Sequence, residues 1–380
     1  MTFPSLANEN LLDVLQLIRT LNVGPITFFD LIKRFGTAKK ALSALPELSR
    51  RGGSKIGLVP FLREMAEKEI AACTKFGARM IMYGSPDYPA LLLNIPDPPP
   101  VITVRGDVKI WQDKTIVAMV GARNASAAGC QLAQKLAKEL GQKDTIVISG
   151  LARGIDTYAH KGSLNSGTIA VIAGGIDNVY PPENAPLYQQ IFEQGAVISE
   201  QPFGSVPFAG SFPGRNRIIA GISVGTVVVE AAPKSGSLIT ARFAMENNRE
   251  VFAVPGSPLD PRSKGCNQLI KQGAIMAESA DDILEGIAHM RGLKFFEMPP
   301  AKYANVPAIV SVGEDELAKL REKVLDKLSA YAVAIDELIE QCDISASAMQ
   351  IVLLELELAG KAKRSPGNKV YLINQIEEVA

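Results

Sequence analysis

With 380 residues, 47% of them hydrophobic and 21% charged, the chain has length for roughly two to four domains and apolar residues enough to fill their cores. Lys plus Arg and Asp plus Glu each total 40, which excludes a protein that holds nucleic acid or membrane by bulk charge and leaves a local basic site open. Four scattered cysteines outside any CxxC spacing, two histidines, no secretory leader and no apolar run of spanning length give the expectation of a reduced cytoplasmic protein without a metal, a cofactor or a membrane.

Residues 1–84 read as a helical domain and carry 12 basic against 7 acidic groups, the largest local excess in the chain. Leu11, Leu12, Val14, Leu15 and Ile18 recur at helical spacing, Gly24-Pro25 interrupts, and Phe28, Leu31 and Ile32 resume. Leu21-Asn22-Val23-Gly24-Pro25 has the form of a helix-hairpin-helix turn, echoed by Lys55-Ile56-Gly57-Leu58-Val59. Such turns offer backbone N–H groups to a phosphate, although a Gly-Pro turn also serves simply to join two helices.

Residues 85–290 change pattern to short Val- and Ile-rich runs alternating with amphipathic segments. Strands are expected at Ile116–Val120, Thr145–Ser149, Thr168–Ile172, Ala196–Ser199, Thr226–Glu230, Glu250–Val254 and Ala274–Met276, with an edge strand at 101–105. Gly129, Leu132, Ala133, Leu136, Ala137 and Leu140 form one helical stripe, with Gly141 expected to cap it. The fold class is therefore α/β, a doubly wound Rossmann-like parallel sheet. A Pro-rich linker over 291–310 leads to 311–380, where three helices and a strand–turn–strand read as a winged helix with Ser345 or Ser347 capping the third helix. That third helix carries Glu355 and Glu357 and no Lys or Arg, which suits a major groove poorly. Protein contact and DNA contact through Lys361, Lys363, Arg364 and Lys369 of the wing both stay open.

In an open parallel sheet, ligands bind beyond the carboxyl ends of the strands, and the glycine loops fall there. They are Gly121-Ala122-Arg123-Asn124-Ala125-Ser126, Ser149-Gly150-Leu151-Ala152-Arg153-Gly154-Ile155-Asp156, Ala173-Gly174-Gly175-Ile176-Asp177-Asn178-Val179-Tyr180-Pro181, Phe212-Pro213-Gly214-Arg215-Asn216-Arg217 and Lys234-Ser235-Gly236-Ser237-Leu238-Ile239-Thr240. Neither GxGxxG nor GxxxxGK[ST] occurs among them, which argues against dinucleotide binding and ATP hydrolysis. Glycine admits phosphate close to the backbone, helix starts favour anions, and Arg123, Arg153, Arg215, Arg217 and Lys234 add cations, so an extended phosphate-binding surface is expected.

The ordered series GARNAS, SGLARGIDTYAH, GGIDNVYPPEN, ISEQPFG, FPGRNRIIAG, VVEAAPKSGSLITARFA, VFAVPGS and GCNQLIKQGA, over about residues 115–280, resembles the DNA-processing protein A family, DprA or Smf. The N-terminal helices resemble that family's SAM-like or helix-hairpin-helix region, and the C-terminus its winged helix. The resemblance implies a single-stranded DNA-binding protein that loads RecA recombinase in natural transformation, a homodimer formed through the Rossmann domain, and no catalysis. It matches Arg123, Ser149, Gly150, Gly154, Arg215, Asn216, Arg217, Ser235, Gly236 and Thr240 to the family's motifs, and with Gly121, Ser126 and Lys234 of the same loops these form the expected DNA-binding set.

Several residues have two readings on the sequence alone. Asp156 and His160, one helical turn apart, suit a mutual hydrogen bond that orients the loop as well as acid–base work. Glu200 and Glu230 are expected to pair with Arg215 or Arg217. Phe203, Phe208 and Phe212 either stack bases or pack beneath the loop. The competing function is a nucleotide-processing enzyme resembling the phosphoribohydrolases, but their P-G-G-x-G-T-x-x-E run, with a glutamate after the glycines, is absent because Glu230 precedes Gly236. A pure assembly scaffold is the third reading.

Overall fold

Residues 3–293, 314–365 and 367–373 are described by a computed structural model of the chain. They divide into two units, one of Met1–Ala7 with Lys68–Met298 and one of Asn8–Glu67 with Pro299–Ala380. The N-terminal and C-terminal segments, read from sequence as separate modules, thus share one unit. The linker expected at 291–310 lies almost wholly outside the described residues.

The chain opens with helices α1 (Leu11–Arg19), α2 (Pro25–Phe35), α3 (Ala38–Arg51) and α4 (Arg63–Lys75). Their boundaries follow capping chemistry. Asn10 accepts from the Leu12 amide at the start of α1, Pro25 occupies the first turn of α2, and Thr37 accepts from the Lys40 amide at the start of α3. Strands β1 (Ala78–Met82), β2 (Val101–Gly106) and β3 (Thr115–Gly121) follow, then α5 (Ala127–Gln142), β4 (Thr145–Ser149), α6 (Ile155–Ser163), β5 (Thr168–Val171), α7 (Ala185–Gln194) and β6 (Ala196–Ser199). The unit is completed by α8 (Ser211–Ile222), β7 (Gly225–Val229), α9 (Ser237–Glu246), β8 (Glu250–Ala253), α10 (Lys264–Lys271), β9 (Ile275–Met276) and α11 (Ala280–Leu293).

The nine-stranded sheet has the order β1-β2-β6-β5-β4-β3-β7-β8-β9. β3 to β9 are parallel, whereas β2 pairs antiparallel with both β1 and β6. All seven expected parallel strands form, and the expected 101–105 edge strand lies inside the sheet. The outer strand β1 falls within the region assigned from sequence to the helical domain. Both faces of the sheet are covered. On one side Val117, Met119, Val147, Val227 and Phe252 pack with Leu136, Leu140 and Ile283, and further along the same face Ala170, Ile172 and Val197 pack with Leu187, Tyr188 and Ile191. The alternate residues Ile116, Ala118, Ile148, Val171 and Val228 are buried on the opposite face, where α8 and α9 lie against the strands. This double cover explains the unbroken apolar runs. Gly141 is not a cap: α5 continues through it, and a Cβ there would collide with the Ser166 hydroxyl.

The C-terminal part contains α12 (Glu314–Lys327), β10 (Val333–Ala334), α13 (Ile335–Cys342), α14 (Ala346–Leu358), β11 (Ala362–Ser365) and β12 (Lys369–Leu372). The strand order β10-β12-β11 and the three helices make a winged helix, and Ser345 is the cap of α14. Its third helix is not presented to solvent. α14 packs on α2 and α3, with the Gly52 backbone against the Glu355 carbonyl so closely that a Cβ would clash. Glu355 and Glu357 are buried in that junction. Arg321 pairs with Glu355 at 2.5 Å, while Arg364 pairs with Glu357 at 2.9 Å and with Asp30 at 3.2 Å. Thr27 donates to Glu357 at 3.3 Å. The acidic residues that made α14 a poor groove reader hold the two ends of the chain together instead.

Candidate functional site

The topology reverses between β3 and β7, so the loops after β3, β4 and β5 gather over one half of the sheet edge. There they enclose a cavity of about 170 Å³ lined by Arg123, Asn124, Gly150, Ala152, Arg153, Gly174, Asn178, Tyr180, Phe212 and Arg215, among others. Arg123 follows β3, Arg153 follows β4, and Arg215 comes from the second turn of α8. Three arginines from three separate elements therefore converge on one cavity.

Each cation is set differently. Arg123 is exposed, and its guanidinium carbon lies 4.9 Å from the centre of the Phe212 ring. Arg153 is exposed and pairs with Glu183 at 2.5 Å, a surface pair that solvent screens and a phosphate can displace. Arg215 is buried and donates from Nη1 to the Val171 carbonyl at 3.0 Å. Burial lowers its pKa to about 10, with Asp156 opposing and Arg123 reinforcing the shift, so it stays charged at neutral pH. Tyr180, half exposed, stands 5.9 Å from Phe212 between ring centres, and the two rings make an aromatic wall.

The glycine loops work otherwise than a phosphate cradle would. The Gly150 and Ala152 amides donate to Asp156 Oδ2 at 3.1 and 3.4 Å. The Ser126 amide donates to Glu230 Oε2 at 2.8 Å, and the Ser126 hydroxyl donates to the other oxygen of the same carboxylate. Glu230 holds a left-handed backbone at φ 54° at the end of β7 while doing so. The loop after β4 and the start of α5, which could have received an external anion, thus hold an internal carboxylate instead. Gly150 is glycine because a Cβ would enter the Arg215 guanidinium. Gly154, at φ 71°, lets the loop after β4 close on the carbonyls of Ala122 and Arg123. The positive potential of the cavity is left to side chains.

Asp156 and His160 do not bond to each other. The raised pKa of Asp156 follows from burial, which outweighs Arg215, the two amides and Arg123. His160 Nδ1 meets Thr168 Oγ1 at 2.9 Å, and burial first, then Arg215, push its pKa to about 3, so the ring is neutral. Among the described residues no His, Cys, Asp and Glu cluster is arranged to hold a metal. No helix among them is long and apolar enough to cross a membrane.

The remaining expected residues lie apart from the cavity lining. Arg217 is buried and pairs with Asp97 at 3.0 Å and Glu200 at 2.6 Å, so it fastens α8 to two carboxylates. Glu200 thereby has the expected kind of partner, whereas Glu230 has Ser126 rather than an arginine. Asn216 donates to the Gly236 carbonyl at 3.3 Å, and Ser235 and Ser237 share a hydroxyl contact of 2.7 Å. Ser149 is buried, bonding to the Met119 carbonyl at 2.6 Å, and Gly121 sits against the Val229 carbonyl. Lys234 is exposed before α9, and Thr240 is buried within it. The three phenylalanines separate: Phe203 packs edge-on against Phe76, Phe212 lines the cavity, and Phe208 is 66% exposed. The sequence placed the loop of Asn178 and Tyr180 at the sheet edge but left both residues out of the DNA-binding set. An aromatic before proline, directly after the third strand loop, was the available signal.

Three family models match in series: DprA-like N-terminal HHH domain over 8–72, DNA recombination-mediator protein A over 79–288, and DprA winged helix domain over 312–368. The chain is 32% identical to Protein Smf of Synechocystis over 91% of its own length and 94% of that protein. It is 44% identical to DNA processing protein DprA of Bacillus subtilis over 57% of its length and 73% of the relative. The X-ray structure of DprA from Streptococcus pneumoniae superposes with a TM-score of 0.61 at 31% identity, covering 73% of this chain and 98% of that one. A DprA structure from Helicobacter pylori, described for its single-stranded DNA binding mode, gives 0.52 at 27% identity over 56% and 96%.

Proposed function

Because the chain belongs to the DprA/Smf family of DNA recombination mediators, we propose that its arginine-lined cavity binds single-stranded DNA as the first step of loading RecA during natural transformation. The observation that carries this reading is the convergence of Arg123, Arg153 and Arg215 with the Tyr180–Phe212 wall on one cavity. Exposed arginines take phosphates, and rings beside them stack bases in any sequence. A single strand can splay its bases to use both, while a duplex presents phosphates alone. Gly121, Ser126, Ser149, Gly154, Asn216, Arg217, Ser235, Gly236 and Thr240 act in this reading by holding the loops, and Lys234 stands outside the cavity lining. The cofactor-free protein works in the cytoplasm as a homodimer, with RecA as its protein partner.

The protein is not an enzyme in this reading. Asp156 is committed to two amides and His160 is neutral and turned toward Thr168, so neither is poised as a general base for a substrate in the cavity. Titrating oligothymidine and a blunt duplex at matched salt tests the binding step, with tight single-strand and much weaker duplex binding expected. Equal affinities overturn it. Release of free base from nucleoside monophosphates would favour the phosphoribohydrolase reading.

A further inference from the structure

The two hairpin turns of the N-terminal helices contribute no residue to the lining of the arginine cavity. The unit they belong to places both beside the first strand of the wing. The Asn22 side chain lies against Gly360, within 3.1 Å of where a Cβ would stand, and the Lys361 ammonium lies over Gly53. The Arg50 side chain passes under Gly57, whose φ is 80°. Lys363 alternates along β11 with Ala362 and Arg364, which turn toward the core and the Asp30–Glu357 pair. Arg50, Lys55 and Lys363 are exposed and Lys361 is half-buried.

None of these four cations has an ion-pair partner among the described residues. The carboxylates around them are used elsewhere. Glu47 and Glu314 both pair with Arg51, Glu355 with Arg321, and Glu357 with Arg364. At the tip of the turn Ile56 is 87% exposed, an apolar group amid cations. The amides of Lys55 and Ile56 point into no intramolecular hydrogen bond among the described residues.

We propose that the 50–57 turn and the first strand of the wing form a second nucleic-acid surface, which holds the phosphate backbone of duplex DNA with Arg50, Lys55, Lys361 and Lys363. The turn is anchored at the end of α3 and the strand is β11, and α14 packs on both, so the cations are held near one another. That suits the regular phosphates of a duplex better than a flexible strand. The contacts read backbone only, so binding is sequence-tolerant and strongly salt-dependent.

The test uses the full chain, a labelled blunt duplex and labelled oligothymidine, each titrated over a range of salt. In the variant Lys55→Ala/Lys361→Ala/Lys363→Ala the log–log salt slope for duplex should flatten by roughly 2.7, at about 0.9 per phosphate contact. Oligothymidine binding should hold. Arg123→Ala should do the reverse, weakening oligothymidine and sparing duplex, so failure here is separable from failure of the arginine-lined cavity. The proposal is overturned by a parent that does not bind duplex at low salt. A folded triple variant with the parent's duplex slope, or with a loss confined to oligothymidine, overturns it too. Because Lys361 packs over Gly53, Lys55→Glu in the exposed turn provides a variant that leaves that contact intact. It should lower duplex affinity roughly tenfold or more at low salt, and an unchanged affinity counts against the surface.

Discussion

The sheet unit and the terminal unit solve the same electrostatic problem by opposite means. A chain with 40 basic and 40 acidic residues can present a basic surface only where its carboxylates are taken out of play. In the sheet unit they are drawn into the backbone: Asp156 accepts amides of the loop after β4 and Glu230 the Ser126 amide at the start of α5, so Arg123 and Arg215 keep their charge for a ligand. In the terminal unit Glu355 and Glu357 are paired with arginines from neighbouring elements and buried where the first helices meet the wing. The first arrangement makes a cavity. The second makes a joint and leaves lysines on its outside. Net charge was therefore a poor guide to either surface.

The sharpest way to separate binding arginines from fastening ones is at Arg217, where the largest effect is expected. Its side chain is 7% exposed, and its pKa is raised because the Glu200 and Asp97 carboxylates outweigh the cost of burial. Arg217→Ala takes the shared cation away from two partly buried carboxylates, which costs about 3 kcal/mol, the lower end for a buried pair. A chemical denaturation curve should show that loss for the sheet unit. Undiminished stability would mean that Arg217 is free to act on DNA.

Arg123→Ala should do the opposite. The residue is exposed and supports no core, so the melting temperature should hold. Losing one charged bond to phosphate, on the order of 1.5–3 kcal/mol, weakens single-strand binding roughly ten- to a hundredfold. The salt slope should flatten by about 0.7. A changed melting temperature with an unchanged slope would make Arg123 a structural residue and misplace the cavity.

The parallel sheet was legible because each of its strands is buried on both faces and writes that into an apolar run. β1 was not, because Ala78–Met82 lies at the sheet edge with the burial of only some residues, and Arg79 interrupts the pattern. The cavity was half legible. Motif order placed Arg123, Arg153 and Arg215 at one edge, but no sequence feature distinguishes Arg215 from Arg217, two residues apart on one helix. Their difference arises from Asp97 and Glu200, which reach Arg217 through the fold. The glycines were legible as loops and illegible in purpose, since Gly150 and Gly154 make room for protein atoms. The burial of Glu357 needed Thr27 of α2, far away in sequence, as well as Arg364 of the nearby β11, and that of Glu355 needed Arg321 of α12.

The smallest effect tests whether the two units really differ in how they hold their titrating groups. His160, neutral with a folded pKa of about 3 against an ordinary 6.5, gives the sheet unit stability that is complete above pH 6.5 and lost as pH falls toward 3. Glu357 has the opposite sign. Burial, countered by Arg364 and reinforced by Asp30, lifts its carboxyl from 4.5 to about 7, with Thr27 also lowering it. The folded unit therefore holds a proton that the unfolded chain releases above pH 4.5, and the resulting stability is lost as pH rises through 7. Between pH 4.5 and 6.5 the two units should move in opposite directions, the sheet gaining protection as the terminal unit loses it. Hydrogen exchange followed peptide by peptide, corrected for intrinsic rates, reads both in one sample. Glu357→Gln should flatten the trend in α2, α14 and β11 alone, by a change worth about a few degrees of melting temperature, and leave the His160 trend intact. If the trend in those elements survives the substitution, Glu357 is not the group that titrates, and the joint is held by packing rather than by its buried charges.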